Sequence, residues 1–186
     1  MKPQAEKIIA EEQAGFRAGR STTEQIFNLC ILCEKYLKNQ QDLYHVFINC
    51  KRAFYRVWHA ALWATMRKYN ISTDLIQVIK KPYNKATSAV LFNNSIGGWF
   101  RTTVGVRQGC LLSYTLFDIF LERIKTDASE DYEVTVSIGG RTITDPRFAD
   151  DINGLAREEE ELANLVECLD KASTAYGRRS VPRRPS

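Results

Sequence analysis

The chain has 186 residues, of which 44% are hydrophobic and 26% charged, a balance typical of one globular domain or of part of a larger one. No apolar run is long enough to cross a bilayer, and the polar start Met1-Lys-Pro-Gln-Ala-Glu6 is unlike a signal peptide. The five cysteines lack the spacing of a disulfide framework, which fits a reducing compartment. We therefore expect an intracellular protein, nuclear or cytoplasmic, that is neither secreted nor bound to a membrane.

The net charge of +4 comes from one end of the chain. The last nine residues contain no acidic residue and four arginines, Arg178, Arg179, Arg183 and Arg184. This Pro- and Arg-rich segment, residues 178–186, is predicted to be disordered. The rest of the chain is neutral, so overall charge does not indicate a polyanionic partner, and such a partner has to be argued from local clusters.

The first third of the chain gives clear local signals. A polar start is followed by a loop with two glycines and two arginines, and then Ser21-Thr-Thr-Glu24 forms a capping box that predicts a helix to about Asn39. The apolar, β-branched run Leu43–Ile48 predicts a buried strand that ends at Asn49. Later patterns predict helices at about 58–69, 72–81 (stopped by Pro82), 113–128 and 157–176, and hairpins at 89–104 and 134–143.

Two adjacent carboxylates, Asp150 and Asp151, are predicted to lie at a hairpin tip. Thr142–Asp145 and Ile152–Leu155 have the composition of short strands on either side of the pair. A solvated turn tolerates two such residues, but a hairpin tip with two carboxylates also suits Mg²⁺, which prefers hard oxygen ligands. The mixture of helices and hairpins predicts an α+β fold with an antiparallel sheet. If the strand ending at Asn49 is a neighbour of this hairpin, the three side chains converge.

Four motifs in this order resemble the reverse transcriptase of non-LTR (LINE-type) retrotransposons, over about residues 9–177. They are Gln13-Ala-Gly-Phe-Arg-Ala-Gly-Arg-Ser-Thr-Thr23, Ala53-Phe54, Gly105-Val-Arg-Gln-Gly-Cys-Leu-Leu-Ser113 and Phe148-Ala-Asp-Asp151. The resemblance implies a polymerase palm, with an antiparallel sheet and helices on one face, plus part of the fingers and no thumb. It divides the chain into a partial fingers lead-in (1–14), a fingers–palm domain (15–177) and the tail (178–186).

The resemblance also implies roles for individual residues. Asp150 and Asp151 would bind catalytic Mg²⁺, with Mn²⁺ as an alternative ion, and Asn49 stands at the position of the family's third catalytic aspartate. Phe54 would lie under the sugar of the incoming nucleotide. Further nucleotide- or template-binding positions are Arg107, Gln108, Gly109, Arg17 and Arg20. The implied partners are an RNA template, a DNA primer and deoxynucleoside triphosphates.

This sequence departs from the family's pattern at Asn49, at Tyr55 (usually a second aspartate) and at Tyr114 (usually a proline). An asparagine keeps an oxygen ligand but loses the negative charge that favours a metal ion. If a metal ligand contributes several kcal/mol to the transition state, its loss slows the chemistry on the order of a thousand-fold. We therefore expect an inactive or severely impaired polymerase. The alternatives are a non-catalytic RNA- or DNA-binding module and a decayed retrotransposon fragment without a selected function.

Overall fold

The computed structural model describes residues 1–50, 52–129, 136–138, 141–142 and 146–177, so the predicted tail at 178–186 lies outside the described residues. The helices are α1 (Lys2–Ala5), α2 (Thr22–Lys38), α3 (Ala53–Arg56), α4 (His59–Lys68), α5 (Thr73–Asn84), α6 (Leu111–Ser129) and α7 (Glu159–Gly177). The strands are β1 (Tyr44–Asn49), β2 (Thr87–Ser88), β3 (Leu91–Phe92), β4 (Ser95–Ile96), β5 (Phe100–Arg101), β6 (Ser137–Ile138), β7 (Arg141–Thr142), β8 (Arg147–Phe148) and β9 (Asp151–Ala156).

A three-stranded antiparallel sheet with the order β1-β9-β8 forms the centre of the molecule. In its register Tyr44 lies opposite Ala156 and Asn49 lies opposite Asp151. The central strand β9 is buried from Ile152 to Ala156, because it is paired on both edges and covered by helices. The predicted α+β fold with an antiparallel sheet is confirmed.

The strand before the carboxylates lies later than the sequence predicted. Residues 143–145 are outside the described residues, and the strand that pairs with β9 is β8, with Phe148 opposite Asp151. This pairing leaves a two-residue turn, Ala149 and Asp150, which is the tightest connection between antiparallel strands. The preceding hairpin, β6 with β7, pairs as expected where it is described.

Helices cover the sheet unequally on its two faces. On one face α7 packs against β1 and β9, and α6 packs against α7. A Cβ added at Gly154 would lie 2.8 Å from Leu165 Cδ2, so the leucine side chain would have to shift. On the other face Leu155 packs against Leu32 and Tyr36 of α2, whereas Phe47 of β1 is exposed. The expected helices on one face are therefore joined by α2, which lies on the second face against β8 and β9.

The start of α2 agrees with the sequence prediction, and the end of α5 differs from it. Ser21 caps α2 as predicted, because its Oγ accepts a hydrogen bond from Glu24 N at 3.1 Å. The predicted stop of α5 at Pro82 is wrong, since the helix continues to Asn84. Tyr83 is buried and packs against Trp63 and His59, with ring centroids 5.7 and 5.0 Å away, and this packing outweighs the one backbone hydrogen bond that Pro82 cannot make.

Residues 86–102 form a two-stranded antiparallel hairpin, called the ribbon below. Its base is closed by Thr102 N donating to Ala86 O at 2.9 Å, and β2–β5 and β3–β4 pair along its length. At its tip, Asn93 and Asn94 have φ of 47° and 59°, the positive values of a type I′ turn. The predicted hairpin is confirmed with a shorter turn. None of the helices within the described ranges is long and apolar enough to span a membrane.

Candidate active site

Three predicted site residues meet at one end of the central sheet. Asn49 ends β1 and lies opposite Asp151, the first residue of β9. Asp150 occupies the adjoining turn, and its carbonyl oxygen accepts a hydrogen bond from Cys50 N at 3.3 Å. The antiparallel register therefore brings the end of one strand and the carboxylate hairpin together, as the sequence predicted for neighbouring strands.

Asn49 is bonded directly to one of the two carboxylates. Its Nδ2 donates to Asp151 Oδ1 at 2.6 Å, so the amide presents a donor to an oxygen that would otherwise be available to a cation. The negative charge at this end of the sheet acts on the thiol of Cys50. Burial, and then the charges of Asp150 and Asp151, raise the pKa of its thiol above the ordinary value.

Gln13 holds the turn that carries the carboxylates. Its Nε2 donates to Ala149 O at 3.0 Å, and its Oε1 accepts from Ala149 N at 2.9 Å and from Gly15 N at 2.8 Å. The residue is 1% exposed, so these bonds are shielded from water. Ala149 has φ of 59°, a conformation that costs a non-glycine residue energy and needs support from its surroundings. Gln13 supplies that support on both sides of Ala149.

The backbone beside Gln13 also requires a glycine. Gln13 forms a parallel bridge with Arg147, and the flanking backbone bonds, Arg147 N to Glu12 O and Ala14 N to Arg147 O, both measure 2.9 Å. Gly15 then passes so close to the turn that an added Cβ would lie 2.1 Å from Ala149 N. Gln13 and Gly15 both belong to the first motif of the resemblance, but neither was predicted to be a functional residue.

Phe54 lies in an aromatic cluster next to this sheet end. Its ring stacks on Phe117 of α6, with centroids 4.3 Å apart, and lies edge-on to Phe16 and Tyr114 at 6.1 and 5.9 Å. Phe16 and Tyr114 are themselves stacked at 3.9 Å. Tyr114 thus contributes a flat aromatic surface where the family's pattern has a proline. The predicted contact of Phe54 with a sugar stays a prediction.

The loop 105–109, with Arg107, Gln108 and Gly109, is tied to α3. Gly105 N donates to Val57 O and Val106 N donates to Phe54 O, both at 2.8 Å. Tyr55, which replaces the family's second aspartate, donates its hydroxyl to Gln108 Oε1 at 2.5 Å. Gly109 has φ of 83° and open space around it. The loop is therefore next to Phe54, and one of its polar side chains is already bonded within the chain.

Arg17 and Arg20 make contacts within the N-terminal region. Arg17 donates to Glu6 Oε2 at 2.8 Å and to Ala10 O at 2.7 Å. Arg20 pairs with Glu11 and, at 3.1 Å, with Glu24. No described contact brings either guanidinium to the carboxylate hairpin. Their predicted roles in binding nucleotide or template stay predictions.

A buried ionic cluster lies behind the hairpin. Arg147 of β8 is 2% exposed and pairs with Glu122 Oε2 of α6 at 3.3 Å, and that same oxygen accepts from Ala10 N at 3.1 Å. Asp118, one turn earlier on α6, is 3% exposed, and its Oδ1 has no hydrogen-bond partner among the described residues. Burial raises the pKa of Asp118 to about 7, although the positive charges of Arg147 and Arg17 oppose the shift.

The donors at the sheet end fit a divalent cation incompletely. Asp150 and Asp151 offer hard carboxylate oxygens, and Asn49 adds one neutral amide oxygen if its side chain turns over. Within the described ranges, no group of three or more His, Cys, Asp or Glu side chains is arranged to hold a metal ion. The site thus has the oxygen chemistry that Mg²⁺ prefers, with one negative charge fewer than a three-carboxylate site.

The sheet, the carboxylate hairpin and the order of the motifs define the class of protein. The chain belongs to the reverse transcriptase (RNA-dependent DNA polymerase) family, whose model matches residues 1–180. Reverse transcriptases use divalent metal ions and RNA templates. The prediction of a reverse-transcriptase-like domain is confirmed.

The relatives of the chain are proteins of mobile elements. It is 26% identical over 149 residues to the probable RNA-directed DNA polymerase from transposon X-element of Drosophila melanogaster, covering 80% of this chain and 15% of that protein. It is 26% identical over 171 residues to the RNA-directed DNA polymerase from mobile element jockey of the same species, covering 88% and 18%. With the Pol polyprotein from type-1 retrotransposable element R2 of Nasonia vitripennis it shares 23% identity over 177 residues, covering 95% and 17%. The resemblance to non-LTR retrotransposons is confirmed, and the chain spans less than a fifth of the length of these relatives.

Two solved structures share the fold. The chain matches apo telomerase from Candida tropicalis with a TM-score of 0.69 and 16% identity, covering 95% of this chain and 36% of that one. It matches telomerase from Candida albicans, in complex with a fragment of telomeric RNA, with a TM-score of 0.67 and 12% identity, covering 95% and 31%. At these identities the likeness concerns the fold.

Proposed function

We propose that this chain forms the fingers and palm part of a reverse transcriptase and binds RNA template, DNA primer and nucleotide, while its own nucleotidyl transfer is severely impaired. The observation that supports the impairment is the bond of 2.6 Å from Asn49 Nδ2 to Asp151 Oδ1. At the position where a third carboxylate would share the metal ions, the chain has a neutral group that donates to one of the two remaining carboxylates.

The proposed chemistry depends on Asp150 and Asp151 as ligands of Mg²⁺ or Mn²⁺. When bound, such ions activate the primer 3′-hydroxyl and neutralise charge on the leaving pyrophosphate. Asn49 weakens this site in two ways. It contributes no negative charge towards the cost of dehydrating the cation, and its hydrogen bond already occupies one lone pair of Asp151 Oδ1.

The other residues of the site are proposed to position substrates. The half-buried ring of Phe54, held by Phe117, presents a rigid apolar surface for a sugar. The loop 105–109 is fixed to α3 by its backbone bonds and can approach a template base or nucleotide closely at Gly109. These contacts position nucleic acid without depending on the charge at residue 49, so we propose that binding survives where catalysis does not.

Restoring the third carboxylate tests the proposal. The wild-type chain should show almost no Mg²⁺-dependent primer extension on an RNA template, and Asn49→Asp should raise the single-turnover rate on the order of a thousand-fold. Mn²⁺ affinity, measured by electron paramagnetic resonance, should become at least about tenfold tighter in Asn49→Asp, because a charged ligand replaces a neutral one. Asp150→Ala in the Asn49→Asp background should abolish both gains.

A matched control removes the effect of net charge. Asn164→Asp on α7 makes the same change at an exposed position away from the site and should alter neither measurement. Extension by the wild-type chain as fast as by Asn49→Asp would overturn the proposed impairment. Mn²⁺ affinity in Asn49→Asp equal to that of Asn164→Asp would show that residue 49 is not at a metal site. Tighter Mn²⁺ binding without extension would show that Asn49 is not the sole defect.

A further inference from the structure

The surface around the end of α5 and the base of the ribbon is positively charged. Between Asp74 and Asp118 the sequence has no acidic residue and five basic ones. Four of the five are exposed, namely Lys81, Lys85, Arg101 and Arg107. None of the described carboxylates forms an ion pair with these four residues. The charge at this surface is therefore uncompensated within the described chain, whereas residues 1–177 taken together have no net charge.

The two arginines are held in place by the C-terminal end of α5. Arg101 Nη2 donates to Asn84 O at 3.0 Å, and Arg107 Nη2 donates to Pro82 O at 2.7 Å. Carbonyl groups in the last turn of a helix lack intrahelical partners and carry partial negative charge, so they anchor cations. Each guanidinium has five N–H donors and uses one in these bonds, which leaves donors for an external anion.

The ribbon adds exposed aromatic rings to this charge. Trp99 is 69% exposed, Phe92 is 74% exposed and Phe100 is 51% exposed. Trp99 comes directly before β5 and precedes Arg101 by two residues, so the indole and the guanidinium belong to the same short stretch of the ribbon. An exposed ring beside a fixed cation is the pairing by which proteins bind single-stranded nucleic acid, with bases stacked and phosphates neutralised.

We propose that the end of α5 and the ribbon form a binding surface for single-stranded nucleic acid, separate from the carboxylate hairpin. On this surface, named the α5–ribbon surface, Lys81, Lys85 and Arg101 contact phosphates and Trp99 stacks on a base. Arg107 connects it to the loop 105–109, so a strand on this surface leads directly into the candidate active site. The inference rests on the proposed nucleic-acid function and extends it to a strand beyond the catalytic position.

A single-stranded partner explains more of the surface than a protein partner does. An interface that buried the apolar ribbon against protein would need carboxylates from the partner for four cations, whereas a phosphate backbone supplies anions at every nucleotide. A duplex would hide its bases from Trp99. Single-stranded RNA or DNA offers both phosphates and unstacked bases to the same surface.

Binding of a fluorescent single-stranded RNA of about sixteen nucleotides tests the inference. The full chain is used, with Arg178→Ser, Arg179→Ser, Arg183→Ser and Arg184→Ser in every protein to remove the charge of the tail. EDTA is present, so that the result does not depend on metal at the carboxylates. Lys81→Glu with Lys85→Glu should weaken binding by at least about tenfold and lower the slope of log affinity against log salt by roughly 1.4, since each lost phosphate contact contributes about 0.7.

The aromatic part of the surface needs its own variants. Trp99→Ala should weaken binding roughly five- to 150-fold, the effect of losing one stacked base. Trp99→Phe should keep most of the affinity, and the quenching of tryptophan fluorescence on RNA binding should be smaller than in the parent chain. Phe27→Ala removes a ring of similar exposure, 63%, from α2 and should have no effect.

Matched charge controls decide between specific and general attraction. Lys38→Glu with Lys68→Glu makes the same change in net charge at exposed ends of α2 and α4 and should weaken binding less than threefold. Equal losses in the two double variants, or unchanged affinity in Lys81→Glu with Lys85→Glu, would overturn the inference. A dimer that dissociates in Trp99→Ala, with RNA affinity unchanged, would assign the ribbon to a second copy of the chain instead. Because no metal is present, these outcomes are independent of whether Asn49 impairs catalysis.

Discussion

Replacing Gln13 by leucine should destabilise the protein through the turn that carries the carboxylates. The change removes the partners of three backbone groups, Ala149 N, Ala149 O and Gly15 N. A buried polar group left without a partner costs about 1–3 kcal/mol. The three groups are adjacent and partly share one relaxation, so we expect a loss of at least about 3 kcal/mol from a total stability on the order of 5–15 kcal/mol.

Urea unfolding followed by circular dichroism measures this loss, and thermal unfolding should show a decrease in Tm of about 6–12 °C. Hydrogen exchange should become faster at Ala149 and the neighbouring residues of β9 before the whole protein unfolds. Gln77→Leu makes the same substitution at an exposed position of α5 and should change stability by less than about 0.5 kcal/mol.

Gln13→Glu separates the hydrogen bonds from the shape of the side chain. An ionised glutamate keeps the two acceptor bonds but cannot donate to Ala149 O, whereas a protonated glutamate can do both. Burial raises the pKa of such a glutamate, so the variant should lose stability as pH rises through that raised pKa. A stability for Gln13→Leu within 1 kcal/mol of the wild type, or no pH dependence in Gln13→Glu, would refute the role assigned to Gln13.

Two other substitutions address the buried charge and the loop. Burial raises the pKa of Asp118 from its ordinary value of 3.8 to about 7, so the folded protein binds a proton that the unfolded chain releases, and stability falls as pH rises through this window. In urea titrations, Asp118→Asn should therefore be as stable as the wild type near pH 4 and more stable, by up to roughly 4 kcal/mol, at pH 8. A variant less stable than the wild type at pH 8 would show that Arg147 keeps the carboxylate favourably charged. Tyr55→Phe removes the hydrogen bond to Gln108 at an exposed position, so the free energy of unfolding should fall by less than about 1 kcal/mol. Hydrogen exchange in the loop 105–109 should become faster. Unchanged exchange would show that the backbone bonds alone hold the loop.

Local sequence signals were sufficient where neighbours along the chain decide the structure. Ser21 and Glu24 are three residues apart, and their capping contact formed as predicted. The turn of the ribbon fell within the predicted Asn- and Gly-rich segment, at Asn93 and Asn94. The turn before β9 lies at Ala149 and Asp150, one residue earlier than the predicted Asp150-Asp151 tip. At Pro82 the same kind of reasoning failed, because burial of Tyr83 against Trp63 and His59 outweighs the local effect of a proline.

The buried ionic cluster of Arg147, Glu122 and Asp118 was not predicted from the sequence. Arg147 follows Pro146 in a stretch that looks like a surface turn, and Glu122 and Asp118 have the spacing of an ordinary helix face. They are buried because β8 packs against α6, which brings Arg147 Nη2 within 3.3 Å of Glu122 Oε2. No periodicity in the sequence distinguishes a buried charge from an exposed one, because its partner lies on a different element.

The order of residues along the chain was enough to establish the family, the α+β class and the identity of the residues at the sheet end, including Asn49. These depend on motifs and on residue types, which can be read without knowing which elements touch. The contacts among those residues depend on the fold. Asn49 donates to Asp151, Tyr55 donates to Gln108, and Gln13 is bonded to Ala149, 136 positions further along the chain. Hydrogen bonds act over about 3 Å, so such contacts are settled by how the strands and helices pack.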